Sequence, residues 1–146
     1  MKKILVPIDG SDCSFAALKK AKEIAQAFGS QVVLLNVIDK NSADYPSHPY
    51  KFSPESLKKA GEEQEERKAI SLKILEDGKA ALSDLGENVT AICREGDAVD
   101  YIVKYSQRYE FDLVIMGSKG MSGLHAIGSV TRHVALKINK PILIIK

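Results

Sequence analysis

Phe111-Asp112-Leu113-Val114-Ile115-Met116-Gly117-Ser118-Lys119-Gly120 is an apolar run that ends in a turn bracketed by glycines, and Gly128-Ser129 follows at the head of a helical pattern. A strand that runs into a glycine loop and then a helix is the repeating unit of a parallel α/β sheet. Glycine lets the backbone approach a ligand closely and adopt positive φ, so successive N–H groups can converge on an anion, and the helix starting near Ser129 adds the positive end of its dipole. The stretch therefore reads as a phosphate cradle, with nucleotide binding as the leading expectation.

The remaining elements alternate in the same way. Lys3 to Ile8, Gln31 to Ile38, Val89 to Cys93, Asp112 to Met116 and Pro141 to Ile145 are short runs rich in Val, Ile and Leu. Such runs are expected of strands covered on both faces. Between the first two, Ala17, Leu18, Ala21, Ile24, Ala25 and Phe28 recur at helical spacing, and Gly29 supplies a stop signal. Ile70, Ile74, Leu75, Ala81, Leu82 and Leu85 form a similar stripe in a longer charged segment ending at Gly86. A third helix is read from Asp97 as N-cap, with Val99, Ile102 and Val103 inward, and a fourth from Ser129 toward Ile138. Asp39 to Pro54 lacks any period and is expected to be a loop insertion. Together these predict one α/β domain over residues 1–146: a three-layer, doubly wound, Rossmann-like sheet of five parallel strands. Its ligand site would lie beyond the carboxyl ends of the strands, where the strand order reverses.

Composition narrows the function. A chain of 146 residues, 45% apolar and 27% charged, can bury one sizeable core. A formal charge of +2, with basic residues interleaved among acidic ones, gives no stripe for nucleic acid. The apolar run after Lys2-Lys3 ends at Asp9, too short for a secretory or membrane segment, so a cytoplasmic protein is expected. Cys13 and Cys93 show no metal or disulfide spacing and read as reduced thiols. His48, His125 and His133 show no pairing with a nucleophile, so no hydrolase triad is read and no metal site is expected.

The loop after the first strand, Pro7-Ile8-Asp9-Gly10-Ser11-Asp12-Cys13-Ser14, carries two acids where a dinucleotide fold seats its pyrophosphate. Asp9 instead suits a ribose hydroxyl, a base amino group or a bound cation, which leaves the fourth-strand loop for phosphates. Lys119, His125, Arg132 and His133 offer positive charge nearby, although each taken singly reads first as a solvated surface residue, and Tyr101, Tyr105 and Tyr109 read as an edge of packing.

Ile4-Leu5-Val6-Pro7-Ile8-Asp9-Gly10-Ser11, Asn36-Val37-Ile38-Asp39, Glu95-Gly96-Asp97, Val114-Ile115-Met116-Gly117-Ser118-Lys119-Gly120 and Gly128-Ser129-Val130-Thr131 before Lys140-Pro141-Ile142-Leu143-Ile144-Ile145 resemble the universal stress protein family, in that order and along the whole chain. The resemblance implies strand order 3-2-1-4-5, a homodimer through the Pro141 to Lys146 edge, and in one branch ATP bound without hydrolytic apparatus. In that branch, whose glycine motif is Gly-x2-Gly-x9-Gly-Ser/Thr, the contacts fall by position on Pro7, Ile8, Asp9 and Val37 around adenosine. Those around the phosphates fall on Met116, Gly117, Gly120, Gly128, Ser129, Val130 and Thr131. Here Met121 to Ile127 is two residues shorter than the pattern. Two residues reach at most about 7 Å, enough to move a phosphate clamp or to be absorbed by losing part of a helical turn. The expected function is a non-catalytic stress-response switch binding an adenine nucleotide, with ATP first and Mg as its companion. The alternative is a nucleotide-free dimeric interaction protein. A receiver domain is excluded because Cys93-Arg94-Glu95 stands where that fold needs a phosphorylatable Asp, and an adenylating PP-loop is disfavoured because Asp9-Gly10-Ser11-Asp12-Cys13-Ser14 only echoes its motif, without the second glycine.

Overall fold

The computed structural model describes residues 1–39, 54–120 and 126–146, with side chains in the second helix from Gln64 onward. The element order is β1 (Lys3–Pro7), α1 (Asp12–Phe28), β2 (Gln31–Asp39), α2 (Pro54–Ala81), a 3-10 turn (Ser83–Asn88), β3 (Val89–Gly96), α3 (Ala98–Arg108), β4 (Leu113–Gly117), α4 (Ser129–Lys137) and β5 (Ile142–Ile145). The strands form one sheet in the order β3-β2-β1-β4-β5, every pair parallel. The order reverses between β1 and β4, which lie side by side with Leu5 opposite Val114. The expected insertion from Asp39 to Pro54 lies, apart from its two ends, outside the described residues.

Strand alternation sends side chains to two apolar layers. Ile4, Val6, Ile8, Val32, Leu34, Leu113 and Ile115 pack against Ala17, Leu18, Ala21 and Ala25 of α1, Leu75 of α2 and Leu82 just beyond its end. Leu5, Val33, Leu35, Val114 and Met116 pack on the other face against Ile102 of α3 and Val134 of α4. Both faces of β1 and β4 are therefore buried, which is why these strands read as continuous apolar runs with no polar alternation. Helix α1 begins on Ser11, whose side chain accepts from Ser14 N, and stops at Gly29, whose φ of 67° suits a residue without Cβ.

Three expectations about packing are corrected. Ile70 is 54% exposed and Ala81 is exposed, because the inward stripe of α2 runs through Ser71, Ile74, Leu75 and Gly78 and continues to Leu82 just beyond the helix. Gly78 belongs to it because a Cβ there would come within 2.9 Å of Ile8 Cδ1 and 3.0 Å of Leu34 Cδ1, so the helix rests directly on the sheet. Phe28 is 63% exposed at the last turn of α1. The second helix also stops earlier than Leu85, which lies in the 3-10 turn. The tyrosines behave as expected of packing: Tyr105 lies 6.2 Å from Tyr101 and 4.6 Å from Tyr109, ring centre to ring centre, and Tyr101 and Tyr105 border the second core layer.

Asp112, expected to open the fourth strand, instead precedes it and ties two strand ends together. Its Oδ2 accepts from Lys2 N at 2.8 Å and Lys3 N at 2.9 Å. These backbone N–H groups, first Lys2 and then Lys3, hold its carboxyl below the usual carboxylate range. A depressed folded value stabilises the fold above the unfolded pKa, and that stabilisation disappears as pH falls through the folded value. Asp112→Asn should therefore melt below the parent protein at pH 7, by a modest margin because the carboxylate is exposed, and the gap should close below about pH 4. Melting curves from pH 7 to 2.5 that show a constant gap would remove this contribution.

Candidate functional site

Two loops meet where the strand order reverses. The first leaves β1 at Pro7, which is buried and opposite Leu35. Ile8 N then donates to Leu35 O at 2.9 Å, so the chain follows β2 for one residue beyond the strand. Asp9 turns outward. Its Oδ1 accepts from Ser11 N at 2.9 Å and from Ser11 Oγ at 2.5 Å, an Asx turn that sets up the cap of α1. One oxygen of Asp9 thus serves the turn.

The other oxygen faces the second loop. A Cβ on Gly120 would stand 3.0 Å from Asp9 Oδ2, and Ser11 Oγ also reaches Lys119 O at 3.3 Å. The two loops are consequently in direct contact, with the Asp9 carboxylate beside the glycine turn. Gly117 is where α1 and β4 come closest, since a Cβ there would meet Cys13 C at 2.6 Å and Cys13 O at 2.7 Å. Ser118 N donates to Ile145 O at 2.7 Å and Ser118 O accepts from Gly128 N at 2.6 Å. The second of these bonds closes the base of the shortened loop. A Cβ on Gly128 would lie 3.4 Å from Gly120 N, so both glycines of the motif sit back to back even with two residues missing between them. Of that loop, Met121 to His125, including the candidate cation His125, lie outside the described residues.

Gly128 is the N-cap of α4, with φ −66° and ψ 158°, and carries no side-chain cap. The N–H groups of Ser129, Val130 and Thr131 open the helix and have no acceptor one turn back, the arrangement that favours an anion. Ser129 is exposed, whereas Val130 borders the second core layer and Thr131 is buried. Thr131 Oγ1 donates to Gly117 O at 2.8 Å, so its hydroxyl holds the end of β4 and its backbone is what it offers the crevice. Met116 is buried under the same loop at 5% exposure. Val37, half-buried in β2 opposite Arg94, sits at the far side of the β1 loop. Lys119, Arg132 and His133 are exposed.

Two polar residues passed over in the sequence belong to this architecture. Asn36, 7% exposed, donates from Nδ2 to Ile8 O at 2.7 Å, and its Oδ1 accepts from Ser71 Oγ at 2.5 Å. An Asn inside an apolar strand run and a Ser on the inner stripe of a helix were the available signals. Both Cys13 and Cys93 are free thiols. Among the described residues, no group of three His, Cys, Asp or Glu side chains converges as a metal site, and no helix is long and apolar enough to cross a membrane.

The sequence and the fold are shared with known proteins. The family model described as the universal stress protein family matches residues 1–146. Universal stress protein MJ0577 of Methanocaldococcus jannaschii is 33% identical over 160 residues, covering 99% of this chain and 94% of that protein. YxiE of Bacillus subtilis is 31% identical over 147 residues, covering 99% and 98%. The solved structure of MJ0577 superposes with a TM-score of 0.77 at 34% identity, covering 99% of this chain and 95% of that one. A universal stress protein solved in complex with cAMP superposes with a TM-score of 0.70 at 25% identity, covering 99% and 97%. The family model spans the whole chain and the fold superposes on that of its relatives, and the chain belongs to the universal stress protein family.

Proposed function

We propose that this chain binds an adenine nucleotide, ATP foremost, in the crevice between the β1 and β4 loops and acts in the cytoplasm as a single-domain, non-catalytic switch. The observation that carries the reading is the meeting of the Asp9 carboxylate with the Gly120–Gly128 turn across the strand-order reversal. Adenosine would lie along Pro7, Ile8, Asp9 and Val37. The phosphates would follow Met116, Gly117, Gly120 and Gly128 to the N–H groups of Ser129, Val130 and Thr131, where a helix N-terminus favours negative charge. The cAMP complex of a family member supports an adenine nucleotide as the ligand class. A single carboxylate, Asp9, suits Mg that arrives with the phosphates and keeps most of its water shell. Among the described residues of the crevice no nucleophile is paired with a base, and in this reading the bound nucleotide acts through conformation or partners.

Purified protein tests this directly, since a chain without Trp absorbs weakly at 280 nm. Excess absorbance near the adenine maximum, released on denaturation and identified by mass, is the expected result. Protein that carries no nucleotide and acquires none on incubation with ATP would leave the rival reading, a nucleotide-free interaction protein.

The assembly we propose is a homodimer through Pro141 to Lys146. β5 is an edge of the sheet, Leu143 and Ile145 border one core layer and Ile142 the other, and Leu136 on the adjacent α4 is 77% exposed. An open apolar edge favours pairing with a second copy about a two-fold axis. Light scattering at micromolar concentration should give the mass of two chains; a monomer would overturn the dimer.

A further inference from the structure

Resting on the nucleotide reading of the crevice, we propose that Asn36 is a positioning residue for its adenosine side, held in orientation by a one-way chain of hydrogen bonds that starts at Cys93. Ile8 O accepts at 2.7 Å from the amide of Asn36. A carbonyl can only accept, so the Asn36 atom facing it must be the NH2 group, which fixes the amide without reference to hydrogen positions. The Asn36 oxygen then faces Ser71, and Ser71 must give it its one hydrogen. Cys93 Sγ lies 3.0 Å from the same Ser71 oxygen. With that hydrogen committed, the thiol is the donor of this last contact. The order is Cys93 on β3, Ser71 on α2, Asn36 on β2 and Ile8 at the end of β1, each group donating to the next.

The consequence falls on Asp9. Ile8 is bonded to β2 from both sides of its residue, N–H to Leu35 O and C=O to the Asn36 amide, so the peptide leading into Asp9 cannot rotate without breaking a buried bond. Helix α2 bears on the same loop a second time: a Cβ on Gly10, where φ is +87°, would touch Ile74 Cγ1 at 3.1 Å. The adenosine side is thus seated on α2 and β3, while the phosphate side is seated on β5 and α4 through Ser118, Gly128 and Thr131. Each half of the site thus has supports of its own, and the two halves meet at their tips, through Ser11 Oγ with Lys119 O and Asp9 with Gly120.

Direction makes the test graded. Cys93→Ala leaves Ser71 short of one incoming donor and should change adenosine affinity less than about twofold. Ser71→Ala leaves a buried amide oxygen unpaired and free to turn, and affinity should fall severalfold. Asn36→Asp keeps the shape but sets a carboxylate oxygen against Ile8 O, and affinity should fall about tenfold or more. Calorimetry with adenosine, AMP and ATP should show the same fractional loss for all three, with the ratio of ATP to adenosine affinity unchanged, because the phosphate side has its own supports. In nucleotide-free protein, amide hydrogen exchange at Ile8 and Ser11 should speed up in the same order while Ser118 and Gly128 keep the parent rate. Folded variants with parent-like adenosine affinity and parent-like exchange at Ile8 and Ser11, or a loss confined to the phosphate increment, would overturn the assignment. A parent protein that binds no adenosine would remove the nucleotide reading alone, and the exchange rates would still decide whether the chain holds the loop. If Asn36→Asp does not fold, Ser71→Ala carries the decision.

Discussion

Gly117→Ala is expected to melt about 6–12 °C below the parent, from a loss of about 3 kcal/mol in a chain of this size. The added Cβ would stand 2.6 Å from Cys13 C, 2.7 Å from Cys13 O and 2.8 Å from Cys13 Cβ. Two of these are backbone atoms in the first turn of α1, so no side chain can swing aside, and either α1 or β4 must move. Gly29→Ala is the informative contrast. It meets nothing within 4 Å but holds φ at +67°, and should cost only about 1–2 kcal/mol through backbone strain. Thermal melts of the two variants side by side check the prediction; equal melting temperatures would mean that α1 and β4 are not in contact at Gly117. Because Gly117 also opens the glycine turn, any displacement of β4 would move Ser118 and with it the hydrogen bond that closes the loop.

Asp9→Ala should weaken adenine nucleotide binding by about 1.5–3 kcal/mol, the usual worth of a hydrogen bond to a charged group. That is roughly 10- to 150-fold in affinity. The far-UV spectrum should not change, because Ser11 still caps α1 through Ser14 N. Asp9→Asn separates the two oxygens. Its side-chain carbonyl preserves the turn that Oδ1 makes with Ser11 N, while the charge presented beside Gly120 is lost. If the carboxylate acts on the ligand, both variants bind weakly; if Asp9 only shapes the turn, Asn binds like the parent. Titration calorimetry giving all three proteins the same affinity would place Asp9 outside the site.

The central strands β1, β2 and β4 were legible because they are buried on both faces, and a strand in that position leaves an uninterrupted run of Val, Ile and Leu. The limits of β3 were less so. It continues past Cys93 to Gly96, with Arg94 and Glu95 pairing against Val37 and Ile38, because an edge strand open to solvent tolerates charged residues that a central strand would not. The second helix misled for a similar reason: its true inward stripe includes Ser71 and Gly78, a hydroxyl and a missing side chain, which no hydrophobic pattern counts. In the site, the two glycine turns and Asp9 were visible as motifs. Their contact was not, since the approach of Gly120 to Asp9 is made by folding and has no signature in either segment. The hydroxyl of Thr131 illustrates the same gap. Its position in the motif suggested a ligand contact, and the fold commits it to Gly117 O.

The central claim is that Gly120, Gly128 and the first turn of α4 still gather phosphates although the loop between them is short. Parallel titrations of adenosine, AMP, ADP and ATP into the nucleotide-free protein test it most directly. The account predicts that affinity rises with each phosphate added, as successive oxygens meet backbone N–H groups at the helix N-terminus. Affinity that stays level from adenosine to ATP, or no binding by any member of the series, would contradict it.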